Sequence, residues 1–339
     1  MASPVLSTRK LGFQWITKDP FLFCAHHNDV YPEGNSEMGP VSSLSGRNLG
    51  SDFDPQNSWR MYHGQKVPGF PVHPHRGFET ITVVLSGYID HTDSAGGAGR
   101  YGNGDVQWMT AGTGLQHSEM FPLIFKDKPN PLVLFQIWLN LPGSKKLVKP
   151  YFKMLWKELI PKITLEDKSG KKTEVIVITG KMNDISVQAP SPDSWAANPD
   201  NEVAIIRYKL EPNAEYIMQP ASAGINRSLF YYQGGEITLN GITVSSGNAI
   251  DVQPDMELLI KNGQTESEIM LLQGKPINEP VAQYGPFVMN TQNEIQQTIS
   301  EYRRTEFGGW PWPAEEYVHG DKPRFAQYSD GTIEYPEEK

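Results

Sequence analysis

Short runs of β-branched and aromatic residues, each cut off by a turn dipeptide, set the first limit on what this chain can become. Residues Glu79 to Thr92 are rich in Thr, Val, Ile and Tyr and break at Ser86-Gly87, a strand, turn, strand pattern. The pattern returns later as Leu229 to Tyr232, then Gly234-Gly235, then Glu236 to Val244 with Asn240-Gly241 inside it. With 31 glycines, 27 prolines and no heptad or long apolar helical stretch, the chain reads as all-β. At 339 residues it is about twice a usual domain, so two cores are expected. Gly87-Tyr-Ile followed by Gly104-Asp-Val, and Gly235-Glu-Ile followed by Gly247-Asn-Ala-Ile, give both halves one coarse rhythm, that of a duplicated small barrel.

The expected organisation is a first barrel over residues 1–150, a second over 151–305 and an aromatic C-terminal extension over 306–339. Pro142, Pro150 and Pro161 mark the stretch that bridges the barrels. One helix is predicted near the end, where Thr291 and Glu294 have capping-box spacing ahead of Ile295, Ile299 and Tyr302 at helical intervals. The Trp310 to Trp312 segment is too aromatic for a free tail and should dock on a barrel, while the acidic end, residues 337–339, should fray. Lys145-Lys146 and Lys171-Lys172 read as solvated turns.

A formal charge of −9, from 39 acidic residues against 30 Lys and Arg, opposes direct attraction to nucleic acid. No run of 18 apolar residues and no secretory leader pattern occur, so a cytoplasmic protein that meets no membrane is expected, present in the nucleus as well in a eukaryote. Cys24, the only cysteine, is expected to be a buried, inert thiol.

Chemistry is concentrated in two short motifs. In His73-Pro-His75 the imidazoles lie two apart, so on a strand they share one face. His117-Ser-Glu119 repeats that geometry with a carboxylate. Three neutral nitrogens and one anionic oxygen suit a divalent first-row metal such as Fe, Mn, Cu or Ni, and an octahedral ion held by four ligands keeps up to two positions open. Seven of the eight histidines fall between residues 26 and 117, but His26, His27, His63 and His91 are assigned to packing or surface. Phe78, Trp108, Met109 and Trp138 are read as core. Spacing from the Gly-x-Ile turn of the second half puts Ala221 and Ala223 at the first-pair positions and Ile260 at that of His117, so one metal per chain is expected.

His73-Pro-His-Arg-Gly-Phe-Glu-Thr80, Gly104-Asp-Val-Gln-Trp-Met-Thr-Ala-Gly112 and His117-Ser-Glu-Met120 closely resemble the signature of the pirin family, and Tyr284-Gly-Pro-Phe-Val-Met-Asn-Thr291 resembles its C-terminal block. The resemblance implies a bicupin, two cupin-type barrels in tandem with a short C-terminal helix. It implies one non-haem iron, Fe(II) or Fe(III), in the first barrel and none in the second. The wider cupin pattern would make Glu79 the carboxylate ligand, whereas the pirin resemblance assigns Glu119. Some pirins are reported to oxidise the flavonol quercetin with dioxygen, and others act as nuclear co-regulators of transcription through protein partners. Three readings follow: a flavonol dioxygenase taking quercetin-like substrates and O2, with Glu119 as ligand and base, an iron redox switch without turnover, or a degenerate cupin whose metal is structural. Compared with shorter pirins, the chain has an apparent insertion at about 28–62 and a tail after Pro313.

Overall fold

The computed structural model describes residues 3–182 and 185–337. Strands dominate it, with one α-helix among the described residues. The chain divides into two compact units. One comprises residues 26–137, 141–158 and the chain from 279 onward; the other comprises the chain up to residue 25, 138–140 and 159–278. This division does not follow the expected cuts at 150 and 305. Strand pairing ignores distance along the sequence, so the first strand, Val5–Lys10, completes the second unit by pairing with Asn248–Val252. The helix and the C-terminal stretch belong to the first unit. Of the acidic end expected to fray, residues 338–339 lie outside the described residues.

In the first unit, one sheet runs in the order Ile333–Glu334, Phe325–Gln327, Ala98–Gly102, Tyr88–Asp93, Leu115–Met120, Gly69–His75. The other holds Tyr151–Leu155, Val106–Thr110, Phe78–Ser86, residues 130–137 and residues 26–31. Their inner faces share a core in which Val84 and Met109 of one sheet meet Ile89, Tyr101 and Leu115 of the other. Phe78–Ser86 and Tyr88–Asp93, adjacent in sequence, are not a hairpin: each joins a different sheet. Gly87 makes the corner at φ 83°, where a Cβ would lie 2.8 Å from the Pro131 carbonyl oxygen.

Residues 28–62 are not a loose insertion. Tyr31, Trp59, Met61 and Tyr62 enter the core, and the Asp29 carboxylate accepts from Arg60 Nε at 2.8 Å and the Tyr62 hydroxyl at 2.7 Å. The tail after Pro313 adds the strands Phe325–Gln327 and Ile333–Glu334 to the edge at Ala98–Gly102. Trp312 docks as expected, its indole N–H donating to the Asp93 carbonyl at 2.8 Å. The helix Gln292–Thr305 begins at the expected capping box, and its Ile295 packs with Phe287 and Met289. Lys146 corrects the surface reading of its pair: it is buried, and its ammonium donates to the carbonyls of Gly77 at 2.9 Å and Val288 at 3.2 Å. Burial lowers that amine to about 8.

The second unit is likewise built from two sheets. Val5–Lys10, Asn248–Val252, Asn226–Gln233, Ser267–Gly274, Ala204–Leu210, Lys172–Thr179 and Lys162–Glu166 form one sheet. Glu215–Met218, Leu258–Asn262, Glu236–Leu239 and Ile242–Ser245 form the other. The Asn240-Gly241 turn has both residues at positive φ, 46° and 88°, and closes the hairpin its sequence announced. Cys24 is fully buried, as expected, and burial pushes its thiol far above the usual range. No helix among the described residues is long and apolar enough to cross a membrane.

Candidate metal centre

Two antiparallel strands of the first unit bring the histidines together. Gly69–His75 is the last strand of its sheet, which is why Pro71 and Pro74, lacking N–H donors, are tolerated there. It pairs with Leu115–Met120 so that His73 lies opposite His117, and His75, two residues on, returns to the same face. The ring centroids of His73 and His117 are 4.4 Å apart, and His75 lies 4.8 Å from each of the other two. One ring nitrogen from each of the three falls within 4.8 Å of the others.

Tautomers are set by the neighbours. His73 Nδ1 lies 2.8 Å from the Pro71 carbonyl oxygen, which can only accept. The proton therefore sits on Nδ1, and Nε2 keeps its lone pair. His75 Nδ1 faces the Pro286 carbonyl at 3.4 Å in the same sense. Burial lowers His73 to about 4 and holds His75 and His117 well below the usual imidazole range, so all three are neutral donors at pH 7. Both ring nitrogens of His117 are buried without a hydrogen-bond partner. Leaving such atoms unsatisfied is costly, and a metal ion removes the cost. These residues therefore fit a divalent first-row ion.

Glu119 adjoins the cluster but is outside the three-imidazole group: its Oε2 is 3.9 Å from His117 Nε2. The carboxylate accepts from Gln136 Nε2 at 2.6 Å, the Thr82 hydroxyl at 3.1 Å and the Tyr101 hydroxyl at 3.5 Å. Burial raises its pKa, and His91 and these donors oppose the rise. Glu79, the alternative carboxylate, has the other parity on Phe78–Ser86. Thr82 reaches Glu119 and Phe78 packs on His75, so Glu79 is on the opposite face, where it accepts from the Thr110 hydroxyl at 2.7 Å. Met109 likewise faces the core cluster that Trp108, beside it, does not join.

His91 is the site residue that sequence reading left out. It is fully buried, opposite Glu119 in the strand ladder, with its ring 5.5 Å from His117. Its Nε2 meets Asp93 Oδ2 at 3.2 Å, and the His319 Nε2–H donates to its carbonyl at 2.9 Å. The signal was the His91-Thr-Asp93 spacing, a same-face pair like the ligand motifs. His26 stacks on Phe135, His27 is packed edge-on against Tyr62 and His63 is exposed, in keeping with their assignment.

In the second unit the same ladder pairs Ile260 with Tyr216 and Leu258 with Met218. Ile260 thus stands where His117 does, as expected. Tyr216 and Met218, rather than Ala221 and Ala223, take the places of His73 and His75; the alanines fall past the end of the strand Glu215–Met218. Counting from a turn missed this, because the connecting loops differ in length. The outcome for nitrogen ligands is unchanged.

The family model described as Pirin matches residues 41–139, and that described as Pirin C-terminal cupin domain matches 205–308. Part of the supposed insertion at 28–62 therefore lies inside the family's own match. Human pirin is 33% identical over 267 residues, 76% of this chain and 84% of that protein. A Pseudomonas aeruginosa protein provisionally named quercetin 2,3-dioxygenase is 35% identical over 254 residues, 74% of this chain and 82% of that one. Among solved structures, a quercetin 2,3-dioxygenase from Acinetobacter baumannii superposes with a TM-score of 0.70 at 24% identity, over 91% of this chain and 99% of that chain.

Proposed function

Because this chain belongs to the pirin family, we propose that it is an iron-dependent dioxygenase that opens a flavonol such as quercetin. His73, His75, His117 and Glu119 would hold the ion. The observation that carries the reading is the cluster of three buried, neutral imidazoles with a carboxylate 3.9 Å from one of them. Iron held there would supply a cationic centre that lowers the pKa of a flavonol hydroxyl.

The chain's own residues supply the rest. Pro71 and Pro286 carbonyls orient two of the imidazoles. Glu119, made more basic by burial, takes the hydroxyl proton on its carboxylate. Gln136, Thr82 and Tyr101 hold that carboxylate in place through the transfer. Phe78, packed on His75, excludes water from one side.

The test is dioxygen uptake by the iron-loaded protein with quercetin, beside Glu119→Gln. Gln keeps an oxygen acceptor but takes no proton at neutral pH. Turnover should fall by ~10²–10⁴ while metal content falls far less. Full activity in Glu119→Gln would refute the base. No uptake across a panel of flavonols would favour the redox switch, which redox-dependent capture of protein partners would then have to support.

A further inference from the structure

In the second unit a cavity of about 1150 Å³ opens where the first unit holds its histidines, with Tyr216 and Met218 in its wall. That is somewhat above the ~300–1,000 Å³ usual for small-molecule sites. Apolar walls come from Ile206, Met218 and Leu271, and the Tyr208 and Tyr216 rings lie 5.1 Å apart beside them. Arg227 also lines the cavity and is only 6% exposed. It stands on Asn226–Gln233 with the parity of Leu229 and Tyr231, both members of the barrel core.

Two bonds fix the guanidinium. Nε donates to Gln273 Oε1 at 2.7 Å and Nη1 to the Gln219 carbonyl at 2.8 Å. Both acceptors are neutral, and no ion pair involves Arg227 among the described residues. Glu202, the carboxylate among its electrostatic neighbours, accepts instead from the Ser222 amide at 3.2 Å. A buried guanidinium in no direct ion pair, its two acceptors both neutral, is suited to taking an anion, and its plane matches a carboxylate geometrically.

We propose that the second barrel binds a small organic monocarboxylate with an apolar, preferably aromatic, body, its carboxylate on Arg227 and its body among Ile206, Met218 and Leu271. Where the first barrel places nitrogens for a metal cation, the second offers a fixed guanidinium for an organic anion. Arg227 is the one arginine of a wall that also carries Lys181, Asp200 and Glu202, so the carboxylate must seat at the Arg227 end and a second negative charge would face those two acids. The body is held by area and shape rather than by hydrogen bonds.

Calorimetric titration of the full chain with 2-naphthoate and with 2-naphthamide tests this, since only the acid carries charge. The acid should bind about 10-fold tighter or more, the usual worth of a charged hydrogen-bond pair. Arg227→Met should remove that preference, and His117→Ala should leave it intact because the first-barrel site is not involved. Should Arg227→Met fail to fold, photolabelling of the unsubstituted protein with 4-azidobenzoate locates the site. Labels within residues 165–273 are expected. Equal affinity for acid and amide, loss of binding in His117→Ala, or labels confined to the first unit would overturn the proposal.

Discussion

Arg100→Met should detach the C-terminal tail from the first barrel and weaken the strands it covers. Arg100 and Asp90 are 3% and 0% exposed, and Nε and Nη2 each meet a carboxylate oxygen at 2.7 Å. The free face of the guanidinium, Nη1, donates to the carbonyls of Gly320 and Lys322, both at 2.7 Å. Asp90 also accepts the His319 amide at 2.7 Å. Methionine fills the volume but leaves Asp90 a buried charge with one remaining donor, a loss of ~3–5 kcal/mol for a buried pair broken on one side. The two carbonyls add little, because Gly320 and Lys322 are exposed and water can replace the donor. Amide hydrogen exchange in Tyr88–Asp93 and Ala98–Gly102 reads the effect directly, protection falling by roughly 10²–10³ or more at ~1.4 kcal/mol per decade. Trypsin should also cut after Arg324 sooner. Arg100→Met with Asp90→Asn, which removes the stranded charge and keeps an acceptor for His319, should regain at least half of the loss. Exchange within a factor of about five of the unsubstituted protein, with Arg324 no more accessible, would refute the reasoning.

Replacing His75 or His117 by Ala should lower metal affinity at least ~10-fold, as loss of even indirect supports does, whereas His319→Ala, outside the three-imidazole cluster, should leave metal content unchanged by plasma emission. His27 is held at about 3 by burial, with Arg60 and His26 adding to the effect. The unfolded chain then takes up a proton below pH 6.5 that the folded chain refuses, so stability is lost as pH falls from ~6.5 toward 3. His27→Phe should remove ~2 kcal/mol of the loss between pH 7.5 and 5, checked by urea unfolding at both values. Gly77→Ala should destabilise by at least ~2 kcal/mol on thermal unfolding: Gly77 has φ 84°, and an added Cβ would lie 2.0 Å from the Val288 carbonyl oxygen.

What the sequence disclosed is whatever depends on neighbours along the chain. The parity of His73, His75, His117 and Glu119 placed them on shared faces, Thr291 with Glu294 marked the helix start, and Asn240-Gly241 marked its hairpin. What stayed hidden depends on partners far away. Glu79 to Thr92 revealed two strands but not that Gly87 sends them into different sheets. Val5–Lys10 could be matched to residues 248–252 only through folding. Lys146 reads as surface because its acceptors, Gly77 and Val288, are distant carbonyls with no sequence signature. His91 looked like packing because its closeness to His117 and Glu119 arises across strands.

The pairing of Val5–Lys10 with Asn248–Val252 also sets a timetable. Val5–Lys10 leaves the ribosome long before Asn248–Val252, its partner in the barrel. At ~5–20 residues per second the interval is on the order of ten to fifty seconds. Through that time the second unit cannot close, and Asn226–Gln233 emerges with both edges unguarded, since its neighbours Asn248–Val252 and Ser267–Gly274 are still to be made. A fusion or tag placed ahead of Met1 would burden the edge strand that caps this sheet. The same addition after the tail would load a strand pair at the periphery of the other unit, already assembled by local register.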